Sequence, residues 1–283
     1  MSNNTMRVIA GSVLALMLGA CGGGGGDSSA NSAAQAASPA GASDATASGD
    51  YIVSGTGTSP AISGVNGNVA LIFMPASTTA NSITGTTITA GSEPLSSQVQ
   101  QSAYGGAFTS VGVPSLSIVL TKHSTIADLN GAGNYIAIGR WTAGSDSSGG
   151  NYTANQGAVY AVGNPLTLTQ TSGTMTCVNV MATSPASATG SVAPGSLLSA
   201  TATIDLSSRT LQNFAATVSI GSDSGATITK TSAALTGGSM GSGANLMVEP
   251  MGNDAAHPLV AVAYAGKLTN TGDVNGLVVL SCN

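Results

Sequence analysis

The chain has very few charged residues: Asp, Glu, Lys and Arg make up 6% of its 283 residues. Helical proteins usually carry Glu, Lys and Arg on their exposed faces, so this scarcity disfavours a helical fold. It also disfavours disorder driven by charge. The formal net charge is −5. Loss of residues 1–20 would remove Arg7 and leave 5 basic and 11 acidic residues, a net charge of −6.

Basic residues are especially scarce and are scattered along the chain. After the N-terminal segment they are Lys122, Arg140, Arg209, Lys230 and Lys267. Neutralising nucleic-acid phosphates needs clustered Lys and Arg, and no such cluster is present. Nucleic acid is therefore not an expected partner.

Aromatic residues and histidines are also rare, at 4% of the chain and two positions respectively. So few aromatics cannot build the two aromatic girdles of a transmembrane β-barrel. The histidines, His123 and His257, are too few and too far apart to suggest zinc. The Asp residues do not cluster as a calcium site requires. We therefore expect neither a metal nor another cofactor.

The N-terminus has the parts of an export signal. Arg7 precedes an apolar run over residues 8–18, and small residues follow at Gly19 and Ala20. This order is typical of a signal peptide, and the run is too short to span a bilayer. The Leu-Gly-Ala-Cys ending at Cys21 resembles the bacterial lipobox. The resemblance implies cleavage before Cys21 and lipidation there with acyl chains such as palmitate, which together make a stable anchor.

Gly22, rather than Asp, follows the expected lipidation site. By resemblance to Gram-negative lipoproteins, this favours the outer membrane, on its periplasmic or its cell-surface face. Residues 21–49 are rich in Gly, Ser and Ala and predict a flexible tether. We divide the remainder into a small β-rich region over 50–130 and a β-barrel domain over 131–283.

The pattern after residue 131 is that of half-buried strands. Leu198, Ala200 and Ala202 would share one face of a strand, and polar residues the other. The eight expected strands lie near residues 135–141, 157–163, 173–180, 198–206, 214–220, 226–235, 259–268 and 274–282. Eight short antiparallel strands can close into an up-and-down barrel filled by side chains. A two-sheet sandwich is the alternative.

Four segments resemble, in order, strands of a known barrel family. They are residues 133–141 (GNYIAIGRW), 160–165 (YAVGNP), 172–177 (SGTMTC) and 194–211. Such segments are found in the C-terminal barrels of transferrin-binding protein B and of factor H-binding surface lipoproteins. The resemblance implies a lipid-anchored barrel with structural roles for Gly139, Arg140, Trp141, Asp205 and Arg209. It does not carry over transferrin or factor H binding.

Two cysteines remain if Cys21 is lipidated, namely Cys177 and Cys282. An even number in an oxidising compartment suggests a disulfide. Barrel order does not by itself place them together, because Cys177 would lie in the third strand. The alternative is two unpaired thiols.

Other residues allow competing interpretations. Residues 237–241 match Gly-x-Ser-x-Gly, and Asp254 and His257 follow in hydrolase order. However, the flanking residues are glycine-rich and no helix follows, which favours a turn over a nucleophile elbow. Trp141 is expected in the barrel core or rim. Arg140 is a candidate partner of Asp205.

We therefore expect an outer-membrane lipoprotein, anchored through Cys21, whose barrel is a non-enzymatic binding or scaffolding module. A protein partner would be met through the barrel loops. The alternative is a lipocalin-like carrier, which needs an open, dry cavity for a small apolar ligand. A hydrolase is a third hypothesis and requires Ser239 close to His257.

Overall fold

The computed structural model describes residues 46–48, 50–102, 104–240 and 243–283, and their regular elements are all β-strands. The strands, in chain order, are β1 (Thr46–Ser48), β2 (Tyr51–Val53), β3 (Asn68–Met74), β4 (Ile88–Pro94), β5 (Gln100–Gln101), β6 (Phe108–Val113), β7 (Leu116–Val119), β8 (Thr125–Ala132), β9 (Ile136–Thr142), β10 (Gly144–Ser145), β11 (Asn151–Tyr152), β12 (Ala158–Gly163), β13 (Thr174–Ala182), β14 (Ala186–Ser187), β15 (Ser196–Asp205), β16 (Thr210–Ile220), β17 (Asp223–Ala234), β18 (Gly237–Ser239), β19 (Asn245–Met251), β20 (Leu259–Leu268) and β21 (Gly272–Cys282). The expected all-β class is confirmed.

The first strand already departs from the expected tether. Residues Thr46–Ser48 were assigned to the tether but form β1, which pairs with β2. The rest of the expected tether, the expected signal peptide and Cys21 lie outside the described residues. The sequence expectations for those segments therefore stay predictions.

The N-terminal sheet has seven strands in the order β1-β2-β8-β9-β12-β3-β4. Only the β2–β8 pair within it is parallel. A small sheet of β5, β6 and β7 covers one of its faces, and Phe108, Trp141 and Tyr160 lie in the buried cluster between them. The central strands β3 and β12 are buried on both faces. This is why they read as nearly unbroken apolar runs rather than as alternating ones.

The C-terminal sheet follows the order β17-β16-β15-β13-β21-β20-β19-β18 and curls into an antiparallel half-barrel. Its first and last long strands, β13 and β21, lie side by side in the middle of this order. Alternate residues point inward to a buried cluster that includes Phe214 and Tyr264. The barrel-like sheet of eight strands is therefore confirmed, and its interior is filled by side chains.

The two sheets share a second buried layer. The outer face of β19, β20 and β21 packs on the N-terminal sheet through small and flexible apolar residues such as Ala263, Met247 and Met251. Alanines let the two sheets approach closely, while methionines fill irregular gaps. This packing brings the outer face of β19 next to β4, which positions the site described below.

Two of the strands assigned to the barrel lie elsewhere. Residues 135–141 and 157–163 correspond to β9 and β12, which pair with each other and with β8 and β3 in the N-terminal sheet. The N-terminal sheet thus crosses the boundary expected at residue 131. The places of these strands in the half-barrel are taken by β18 and β19. Period-two alternation identifies the buried face of a strand but not its neighbour, which explains the difference.

Candidate ligand-binding cleft at the end of the half-barrel

The two cysteines of the half-barrel form the expected disulfide. Cys177 on β13 and Cys282 on β21 are register partners, with a Cα–Cα distance of 4.1 Å and an S–S distance of 2.04 Å. Both residues are buried. The bond therefore joins adjacent strands rather than crossing the barrel end.

The predicted motif residues of the first strand support the N-terminal sheet instead of the barrel. The Trp141 indole is fully buried and donates a 2.8 Å hydrogen bond to the Phe108 carbonyl. Arg140 does not pair with Asp205. Its Nε donates to Asp128 at 2.7 Å, and Asp128 also accepts from the backbone N–H of Ser184 at 2.9 Å. Asp128 thus ties β8 to the segment that follows β13.

Asp205 and Arg209 organise the tight turn between β15 and β16. Asp205 accepts hydrogen bonds from the Ser207 hydroxyl at 2.6 Å and from the Ser207 N–H at 2.9 Å. The hydroxyl bond is the main reason that the pKa of Asp205 falls to about 2. Arg209 adopts a left-handed backbone, with φ of 54°, and its carbonyl accepts the Leu235 N–H. Both residues thus help to form the turn that joins two neighbouring strands of the half-barrel.

The residues of the hydrolase hypothesis are not brought together. Ser239 on β18 is the register partner of Leu246, whereas His257 precedes Leu259, the partner of Met251. Leu246 and Met251 are five positions apart on β19, which corresponds to roughly 17 Å along the strand. Asp254 and His257 do form an exposed pair at 3.0 Å. Gly241, the last residue of the motif, lies outside the described residues.

A cleft of about 860 Å³ opens beside the end of the half-barrel where β15 turns into β16. One wall is Gly91 and Ser92 of β4. The others are the segment 165–168 after β12, Arg209, residues 234–236 at the end of β17 and in its connection to β18, and the end of β19. We name this the barrel-end cleft. It lies between the two sheets, so both are needed to form it.

Glu249 of β19 is the acidic residue of the barrel-end cleft. The residue is 3% exposed, and its Oε2 is buried without a hydrogen-bond partner among the described residues. Burial raises the pKa of the Glu249 carboxyl to about 7. A buried carboxyl without a partner is costly to ionise and is typical of functional sites.

The backbone of β4 makes room for this carboxyl. Gly91 and Ser92 lie where the pairing of β4 with β3 shifts register, between Ala90 and Glu93. A Cβ at position 91 would come within 2.9 Å of Glu249 Oε1. Bulges of this kind are frequent beside binding sites because they redirect the strand. Glycine at position 91 therefore lets the two sheets pack over Glu249 without displacing the Glu249 side chain.

None of the sequence patterns described above singles out Glu249 as a site residue. The sequence signal that could have identified Glu249 as a candidate site residue is the type of residues around it. Glu249 is the one ionisable residue in the apolar run 244–252, and such a group in a buried strand marks a candidate site.

Among the described residues, no group of three or more His, Cys, Asp or Glu side chains could hold a metal ion. No helix in the described part of the chain is long and apolar enough to cross a bilayer.

Comparison with known proteins gives no assignment: no protein-family model and no curated protein matches the chain. The resemblance to the barrels of transferrin-binding protein B and factor H-binding lipoproteins therefore stays a prediction.

Proposed function

We propose that the chain is an exported lipoprotein, anchored to the outer membrane through Cys21, and that its folded part is a non-enzymatic binding module. The barrel-end cleft is the proposed binding site. The observation that carries this proposal is the buried and unpartnered Glu249 carboxyl in a cleft large enough for a small molecule. Burying an ionisable group without a partner costs free energy, which a purely structural cleft would not require.

The disulfide supports the export part of the proposal. Disulfides persist in the periplasm and on cell surfaces and are rare in the cytosol. The Cys177–Cys282 bond is buried within the half-barrel and so belongs to its folded state. It agrees with a chain whose N-terminal segment predicts secretion.

The packing of the half-barrel favours its end over its interior as the binding site. The interior is a continuous cluster of buried side chains, with Phe214 and Tyr264 in tilted contact at 6.1 Å between ring centroids. A lipocalin-like carrier instead requires an open lumen. The barrel-end cleft has space as well as polar groups that can orient a ligand.

Lipid attachment is tested by metabolic labelling with an alkyne analogue of palmitate in cells that make the full chain or its Cys21→Ser variant. We expect label and membrane fractionation for the unmodified chain, and loss of both for Cys21→Ser. Variants at Cys177 are the matched control, because they leave Cys21 in place. Equal labelling of the chain and of Cys21→Ser would contradict the anchor.

Binding at the cleft is tested by native mass spectrometry of the full chain released from membranes. Thr236 is exposed and lines the cleft, so Thr236→Trp fills the cleft from its rim. Thr201→Trp is the control, because Thr201 is exposed on β15 outside the cleft. We expect a small-molecule adduct on the unmodified chain and on Thr201→Trp but not on Thr236→Trp. The same adducts on all three, or none on any, would contradict the proposal.

A further inference from the structure

Glu249 is the group in the barrel-end cleft that the protein leaves unsatisfied. Its Oε2 atom has no hydrogen-bond partner among the described residues, although the residue is 97% buried. Oε1 faces Gly91, where the absence of a side chain leaves space. An ionised carboxylate in this position needs a donor from outside the protein.

The residues of the cleft limit which chemical group can act as the donor to Glu249. A divalent cation such as Ca²⁺ takes six to eight oxygen ligands, and the described residues offer no cluster of carboxylates. An anionic ligand would be repelled by the carboxylate. A neutral hydroxyl would satisfy one hydrogen bond without neutralising the charge. An ammonium group supplies both a charge and several donors, and charge-assisted bonds are about twice as strong as neutral ones.

The walls of the cleft indicate what the ammonium group is attached to. Pro165, Leu166 and Leu168 form one wall, and Leu235 and Pro250 contribute to others. These side chains suit an apolar ligand body, whose burial yields roughly 25 cal/mol per Å². The ligand is therefore expected to be amphipathic.

Arg209 limits the charge at the other end of the ligand. Its half-buried side chain also lines the cleft, and it forms no ion pair with Glu249. Because this side chain is only half-buried, water can solvate its guanidinium without an anionic partner. A second cationic group on the ligand, however, would meet this positive charge in the same cleft.

Resting on the function proposed above, we propose that the barrel-end cleft recognises small monoamines, in which one primary ammonium group on an apolar body donates to the Glu249 carboxylate. Amines with a second positive charge are excluded by Arg209. The ligand class is thus set by one buried acceptor, apolar walls and one cation in the lining of the cleft.

The test is isothermal titration calorimetry with four probes that share a six-carbon chain: hexylamine, hexanol, hexanoate and 1,6-diaminohexane. The protein is the full chain carrying Cys21→Ser, so that neither acyl chains nor detergent compete for the cleft. A pH of about 8 keeps the Glu249 carboxyl ionised and hexylamine protonated. The variants are Glu249→Gln and, as matched control, Glu93→Gln, since both glutamates precede a proline on a strand.

We expect hexylamine to bind at least about tenfold more tightly than each other probe, as for a desolvated charge pair. Glu249→Gln should abolish this preference and leave hexanol unchanged, whereas Glu93→Gln should leave both unchanged. Equal binding of hexylamine and hexanol, lost in Thr236→Trp, would overturn the inference while the binding function stands. No binding of hexylamine would also overturn it. Failure of the proposed binding function is detected separately by native mass spectrometry, where the unmodified chain and Thr236→Trp would then show the same adducts or none.

Discussion

Cys177 and Cys282 are register partners on the two strands that join the halves of the curled sheet, 105 residues apart in the chain. Each half is a meander of neighbouring strands, and β13 and β21 are where the first meander meets the last. The disulfide therefore fixes the pairing of β13 with β21, through which the two meanders join.

Removal of this bond should destabilise the protein by about 2–4 kcal/mol, because a long loop in the unfolded chain is no longer closed. Urea denaturation of a Cys177→Ala/Cys282→Ala variant measures the change in the free energy of unfolding. The control is the Cys21→Ser variant, whose free energy of unfolding should equal that of the unmodified chain. An unchanged midpoint for the double variant would show that β13 and β21 pair without the bond.

The Asp128–Arg140 ion pair should contribute far more stability than the exposed Asp50–Lys122 pair. The Arg140 side chain is 6% exposed and that of Asp128 is 20% exposed, whereas Lys122 and Asp50 are 67% and 55% exposed. Asp128→Asn keeps a residue that tolerates the left-handed backbone, with φ of 57°, but leaves Arg140 buried and unpaired.

We expect Asp128→Asn to cost about 3 kcal/mol, whereas Asp50→Asn should leave the stability nearly unchanged because its ion pair is solvated. Thermal unfolding of both variants under identical conditions measures the difference. Similar losses in the two variants would mean that the buried network has no special role in holding β8 to the segment after β13.

Two glycines lie opposite tyrosines whose rings cover them. Gly139 on β9 is the register partner of Tyr160, and a Cβ there would lie 2.3 Å from the Tyr160 hydroxyl oxygen. Gly276 on β21 faces Tyr264 in the same way, at 2.6 Å. Because each ring is fully buried, it has no room to move aside.

Gly139→Ala and Gly276→Ala should each cost about 1–3 kcal/mol through overpacking. Gly238→Ala is the matched control in a strand, since a Cβ there meets no atom closer than 4.0 Å. Chemical denaturation of the three variants decides the point. A neutral Gly139→Ala would indicate that the Tyr160 ring can shift.

Much of this architecture could be predicted from the sequence, and the part that could not has a physical reason. Of the three residues expected on the inner face of β15, Ala200 and Ala202 are buried, whereas Leu198 is 54% exposed. Alternation thus locates strands well. The partners of β9 depend on contacts with β3 and β8, which local pattern does not encode.

The candidate site shows the same limit. Cys177 and Cys282 could be paired by counting, because two cysteines remained after Cys21. The barrel-end cleft could not be predicted, since it arises where the outer face of β19 meets the bulge of β4. Glu249 and Gly91 come from distant parts of the chain and meet only through the packing of the two sheets.

The stability of the protein should fall as the pH rises from about 4.5 to about 7. Burial raises the pKa of the Glu249 carboxyl in the folded state from its ordinary value of about 4.5 to about 7, so between these pH values the unfolded chain releases this proton first. The contribution of the protonated Glu249 carboxyl to stability is fully present below a pH of about 4.5 and is lost as the pH rises through about 7. The loss is at most about 3 kcal/mol. Arg209 is the other charged residue lining the cleft.

Melting temperatures of the unmodified chain and of Glu249→Gln, measured across this range, isolate the contribution. The variant has no carboxyl at this position, so its advantage over the unmodified chain should grow from pH 4.5 to pH 7 and then stay constant. Glu93→Gln should follow the unmodified chain throughout. Parallel curves for all three proteins would mean that Glu249 is solvated in the folded state.

Glu249 is the buried carboxyl on which the proposed site is built, and the chain has only two glutamates, Glu93 and Glu249. Labelling glutamate with carbon-13 at its carboxyl therefore gives two NMR signals, which Glu249→Gln assigns. We predict that the Glu249 signal titrates at about 7 and that hexylamine lowers this pKa by stabilising the carboxylate. If the Glu249 signal titrates near the usual value for glutamate and does not respond to hexylamine, the barrel-end cleft is not the proposed site.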